Sequence, residues 1–108
     1  MRITLSGNNI GLTDDTRAYG EYRFFTSVAR HAAIIRAVDI TLKRIVGANR
    51  QFQCAVVIDL GVSGRVKTQA RGPHPTAAID RAADRSAWLL DRRTTATPFI
   101  VKSSRFSS

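Results

Sequence analysis

PTAAIDRAADRSAWLLDRR, residues 75–93, reads as one amphipathic helix. At about 100° per residue, Ile79, Ala82, Ala83, Ser86 and Leu90 gather on one narrow face, and Arg81, Arg85, Trp88 and Arg92 on the opposite one. The first face is suited to packing. The second presents three guanidinium groups and the chain's single tryptophan, which packing does not require. A polyanion outside the molecule accounts for that stripe. Asp80, Asp84 and Asp91 stand on the adjacent strip, placed to neutralise part of it, and Trp88 is spaced to stack against Arg85 or Arg92 as a cation–π pair.

Working outward, Gly72 to His74 links this helix to a preceding strand, and Pro75 suits the first helical position, where its missing N–H costs nothing. That strand, Arg65 to Arg71, alternates Val66, Thr68 and Ala70 with Arg65, Lys67, Gln69 and Arg71. Two earlier runs share the period of two: Val38, Ile40 and Leu42 in one, and Phe52, Cys54, Val56, Ile58 and Leu60 in the other. Gly61 to Gly64 joins the last two as a hairpin link. Nearer the start, Ile3 and Leu5 alternate with polar residues until Gly7, Asn8 and Asn9 break the run. Thr13, Asp14 and Asp15 then open a helix expected to reach about Ala33: a hydroxyl for the free amides, then negative charge at the positive end of the dipole. Its inward face is either Ala18, Tyr22, Phe25, Ala29 and Ala32, or Gly20, Phe24, Val28 and His31. Both phases point Arg23 and Arg30 outward.

Alternation with one polar face predicts an antiparallel sheet covered on one side only. The two helices are the elements available to cover it. The expected fold is α+β, a β-α-β-β-β-α two-layer sandwich in which a four-stranded sheet is covered on one face by two helices. Residues 1–93 form that domain. Residues 94–108, TTATPFIVKSSRFSS, are rich in Ser and Thr and read as a flexible basic tail, unless Phe99 to Val101 docks on the sheet edge.

The 108 residues suffice for one core. Seventeen Lys and Arg against eight Asp and Glu give a net charge of +9, and Arg predominates, which favours bidentate recognition of phosphates. Cys54 is the chain's single cysteine, so no internal disulfide forms, and its phase makes it a small buried hydrophobe. His31 and His74 have no ligand-forming neighbours and read as core edge and helix entry. No nucleophile with a base and no glycine-rich phosphate loop is present, so no enzyme, metal or cofactor is expected. MRITLSGNN lacks the apolar stretch of a signal peptide, and no run is long enough for a membrane span; a reduced, cytoplasmic setting follows.

Several short motifs in order now carry a resemblance. LSGNNIGLT (residues 5–13), Arg17-Ala18-Tyr19, and Ala77-Ala78-Ile79-Asp80 followed by Asp84-Arg85 resemble the ribosome hibernation promoting factor / ribosome-associated inhibitor family, the ribosomal subunit interface proteins, over Met1 to about Arg93. The resemblance implies a non-enzymatic factor that binds small-subunit rRNA in the channel used by mRNA and tRNA and halts translation when growth stops. It implies RNA contacts from basic side chains on the helices: Arg85 and Arg92, and Arg23 and Arg30, stand where the family usually has Lys or Arg. His74 replaces a usual capping Asp, Thr76 a Tyr, Trp88 a basic residue and His31 a large aromatic, with Gly20 central in the first helix. It further implies a short form, without the long form's C-terminal dimerisation domain.

The RNA-binding residues expected are therefore Arg81, Arg85, Trp88, Arg92 and Arg93, then Arg23 and Arg30, with Lys67 on the sheet. Lys43, Arg65 and Arg71 share the surface of Lys67. The expected partner is the small ribosomal subunit, with no membrane and no small-molecule substrate, and a monomer is favoured off the ribosome. Two alternatives remain: a free-standing double-stranded RNA-binding module, and a protein-interaction module that self-associates through the sheet or through Phe99 to Val101.

Overall fold

The chain lays down its sheet in sequence order. The computed structural model describes residues 1–8, 10–47 and 51–102, and side chains among them as far as 93. Strands β1 (Arg2–Asn8), β2 (Ala37–Ile45), β3 (Gln51–Asp59) and β4 (Arg65–Gly72) form one sheet in the order β1-β2-β3-β4. Helices α1 (Asp14–Val28) and α2 (Pro75–Lys102) pack on one of its faces.

The expected antiparallel sheet is corrected at its first pair. β1 runs parallel to β2, with Leu5 opposite Ile40. The connection explains it: α1 carries the chain back along the sheet, so β2 starts at the same end as β1. β2–β3 and β3–β4 are antiparallel, with Ile40 opposite Val56 and Val56 opposite Thr68. Strands β1 and β4 therefore point the same way. Each is followed by a helix returning across the same face, so α1 and α2 lie side by side and parallel.

The core is the row-by-row product of the period-2 runs. Leu5, Val38, Ile40, Leu42, Cys54, Val56 and Ile58 are buried beneath Phe24, Val28, Ile79, Ala82, Ala83 and Leu90 of the helices. Each fully buried aliphatic or Phe side chain there contributes about 1.5–3 kcal/mol relative to exposure. Ser86 is also buried, and its hydroxyl donates to the Ala82 carbonyl at 2.8 Å, so it costs the core no unpaired group.

The two phases left open for α1 are now decided. Gly20, Phe24 and Val28 are buried, while Tyr22 and Phe25 are more than half exposed. Gly20 sets that phase, because a Cβ there would lie 2.3 Å from Leu5 Cδ1 and 3.3 Å from Ile79 Cδ1. Thr13 caps α1 as expected, its Oγ1 accepting from the Thr16 amide at 3.1 Å. The helix stops short of Ala33. From Ala29 to His31 it tightens into a 3-10 turn, and further i→i+3 bonds follow to Ile35, which enters the core before β2 begins.

Helix α2 runs past the expected stop at Arg93 to Lys102. The backbone of 94–102 is thus helical where the start of a tail was expected. The rest of that tail, 103–108, lies outside the described residues, and so do the side chains of Phe99 to Val101.

Candidate nucleic-acid interface

The seam between the helices decides what α2 shows to solvent. The Tyr19 hydroxyl donates to Asp80 Oδ1, Arg23 Nη2 donates to Asp84 Oδ1 at 2.7 Å, and Arg30 pairs with Asp91. All three pairs are separated by 61 residues, as parallel helices in one register require. Arg23 also lies 3.3 Å from Asp80, and His31 Nε2 lies 2.8 Å from Asp91 Oδ1. The hydrogen bond with His31 is the main influence holding the Asp91 carboxyl below the usual carboxylate range, with the charge on Arg30 adding to it.

These contacts correct the outward orientation expected for Arg23, which lies in the α1–α2 seam against Asp80 and Asp84 with its side chain 27% exposed. Arg30 faces solvent as expected, its side chain 65% exposed, but is paired with Asp91 at the edge of the same seam. The same contacts draw Asp80, Asp84 and Asp91 toward α1 and away from α2's other flank.

On that flank the expected stripe is present. Arg81, Arg85 and Arg92 are exposed, and Trp88 is 55% exposed. The Arg92 guanidinium sits over the Trp88 ring, 4.7 Å from its centroid. Arg81 Nη1 donates to the Arg71 carbonyl at 2.8 Å, which ties the start of the stripe to β4. Arg85 makes no hydrogen bond or ion pair among the described residues. It forms one wall of a shallow groove of about 440 Å³ whose other wall is Thr68, Gln69, Ala70 and Arg71. Arg93 turns aside and donates to the Ser63 carbonyl in the β3–β4 link.

Lys67 lies on the open face of the sheet, exposed, in the same phase as Arg65 and Arg71. The sequence separates this surface from α2. The fold joins them, because β4 is an edge strand lying under α2, and Arg71 meets both Arg81 and the Arg85 groove. The result is one basic band around the β4 edge, with guanidinium forks on α2 and an exposed aromatic face among them.

One further place escaped the sequence reading. A cleft of about 580 Å³ at the start of α2 is lined by Arg44, Phe52, Pro73, His74 and Pro75, with the Arg44 guanidinium 5.7 Å from the Phe52 ring centroid. The signal was available: Arg44 follows Val38, Ile40 and Leu42 in the inward phase of β2 yet is a charged, exposed residue.

Burial pushes the Cys54 thiol up to about 12, the opposite of what a nucleophile needs. Among the described residues, no three His, Cys, Asp or Glu cluster as metal ligands, and no helix is long and apolar enough to cross a membrane.

No curated protein matches the sequence. The structure is similar to the Protein Y N-terminal domain of Thermus thermophilus, with a TM-score of 0.67 and 23% identity, covering 84% of this chain and 93% of that one. It is also similar to a ribosomal subunit interface protein of Coxiella burnetii, with a TM-score of 0.73 and 13% identity, covering 88% and 99%. At these identities the likeness establishes the fold. The family model described as Sigma 54 modulation protein / S30EA ribosomal protein matches residues 3–95, nearly all of the two-layer sandwich. The chain belongs to the Sigma 54 modulation protein / S30EA ribosomal protein family.

Proposed function

We propose that this protein is a ribosome-binding translation inhibitor that grips small-subunit rRNA through the outer flank of α2 and occupies the path of mRNA and tRNA. Arg81, Arg85 and Arg92 hold phosphates, and Trp88 stacks on an unpaired base. Lys67 meets backbone from the open sheet face, while Arg93, Arg23 and Arg30 act at the margin of the contact, since each already has a partner within the protein. Inhibition is steric and needs no bond chemistry, cofactor or metal. The cytoplasm, where ribosomes work, is the setting.

One observation carries this reading: Asp80, Asp84 and Asp91 reach across to Arg23, Arg30 and His31, so α2's arginine flank keeps its charge. Folded RNA, recognised by shape and phosphate, is the ligand that such a flank fits. Family membership supports the ribosome as its source. The test is competition on isolated small subunits. The protein should displace bound mRNA and tRNA and suppress translation in a purified system. Unimpeded mRNA and tRNA binding at saturating protein contradicts the proposal.

A further inference from the structure

The two edges of the sheet are finished differently. On β1 the Leu5 amide donates to Glu21 Oε2 at 3.4 Å and the Leu5 carbonyl accepts from Arg17 Nη1, so α1 occupies both backbone groups in the middle of that edge. On β4 the outward-facing groups belong to alternate residues. Arg81 reaches the Arg71 carbonyl from outside, which fixes Arg71, Gln69, Lys67 and Arg65 as the outward set. Among the described residues, nothing bonds to the backbone of Lys67 or Gln69 on that side. The unused ladder borders the groove of about 440 Å³ walled by Thr68 to Arg71 and by Arg85.

We infer that the β4 edge is a docking strand for an extended acidic segment of a protein partner, which pairs with the backbone of Lys67 and Gln69 and sets its carboxylates against the arginines on either side. An added strand turns alternate side chains to opposite faces. Carboxylates of one parity meet Arg65, Lys67 and Arg71, and those of the other meet Arg85. Charge decides against a second copy of this chain, since β4 paired with β4 would oppose Arg65, Lys67 and Arg71 to their own kind. RNA offers phosphates but no alternating N–H and C=O ladder. A docked segment covers Arg85, so it competes with RNA for α2's flank, and the inference stands on the sheet edge independently of the ribosomal reading.

The experiment is fluorescence anisotropy on the full chain, without ribosomes, using a labelled peptide that alternates Glu with Val and Thr. Its comparison peptide is N-methylated at the amides that would face β4. The unmodified peptide should bind saturably, and the methylated one at least about tenfold more weakly, because two backbone hydrogen bonds are lost. Amide exchange at Lys67 and Gln69 should slow when the unmodified peptide is added. Gln69→Pro removes an outward N–H that β3 does not use, and proline is tolerated at such an edge position. It should abolish peptide binding while co-sedimentation with ribosomes persists. Should Gln69→Pro fail to fold, Lys67→Glu tests the same edge through charge and should also weaken peptide binding. Equal binding of the two peptides, or displacement of the Glu peptide by a uridine oligomer that slows exchange at Lys67 and Gln69, overturns the inference.

Discussion

Arg23 of α1 lies 2.7 Å from Asp84 of α2, with Asp80 3.3 Å away on its other side. This fork joins the two helices and uses up a cation that the sequence alone assigns to ligand. The pair is partly solvated, Arg23 being 27% and Asp84 74% exposed, so screening limits its worth. Arg23→Ala should lower stability by about 0.5–1 kcal/mol in chemical denaturation. Loss of ribosome binding as complete as that from the α2 arginines would show that Arg23 belongs to the interface itself.

The Asp91 cluster gives a pH signature. His31, and secondarily Arg30, hold its carboxyl below the ordinary value in the folded chain. A group with a depressed folded pKa stabilises the fold above its unfolded pKa, about 3.9 for Asp, and loses that contribution as pH falls through the folded value. Asp91→Asn should therefore be less stable than the parent at neutral pH, and the two should converge as the solution is acidified below about pH 4. A constant gap across that range, in denaturant midpoints, would disconnect Asp91 from acid unfolding.

Two glycines separate a yielding contact from an unyielding one. At Gly20 a Cβ would collide with the end of the Leu5 side chain; at Gly72 it would lie 2.7 Å from the backbone nitrogen of Ala78 and 2.9 Å from Ala77 Cβ. Gly20→Ala gains about 0.5–1 kcal/mol of helix propensity against an overpacking cost of about 1–3 kcal/mol, so a net loss is expected. Gly72→Ala has no helical gain to offset it, and the start of α2 would have to lift off the sheet. Thermal melts should rank Gly72→Ala as the more damaging.

Trp88 is the chain's single tryptophan and is more than half exposed, which makes it a direct reporter. RNA binding should change its fluorescence as Arg92 is traded for a base. Trp88→Ala should weaken binding by about 1–3 kcal/mol, and Trp88→Phe by less. Affinity should also fall steeply with salt. Binding that is insensitive to salt would point to a protein contact instead.

The sequence disclosed what local periodicity controls. Ile79, Ala82, Ala83, Ser86 and Leu90 all turn inward on α2, and Trp88 and its arginines turn outward, because a helix wheel depends on spacing alone. The inward phase of α1 stayed open until Leu5 and Ile79 were seen against Gly20, a contact between distant segments. The parallel direction of β1 is a matter of connection rather than composition. The partners of Asp80, Asp84 and Asp91 stand 61 residues back in the chain or nearly so, and no local pattern names them. The basic band was legible as two separate stripes, but their union needs the edge position of β4.

The most direct measurement is co-sedimentation with small ribosomal subunits of the Arg81→Glu, Arg85→Glu, Arg92→Glu triple variant beside the parent chain, at physiological salt. All three side chains are exposed, so the variant should keep the parent's circular dichroism and melt only slightly lower, for the lost bond from Arg81 to the Arg71 carbonyl and the lost stack of Arg92 on Trp88. The account predicts that it stays at the top of the gradient while the parent travels with the subunits. A folded triple variant that still travels with them contradicts it.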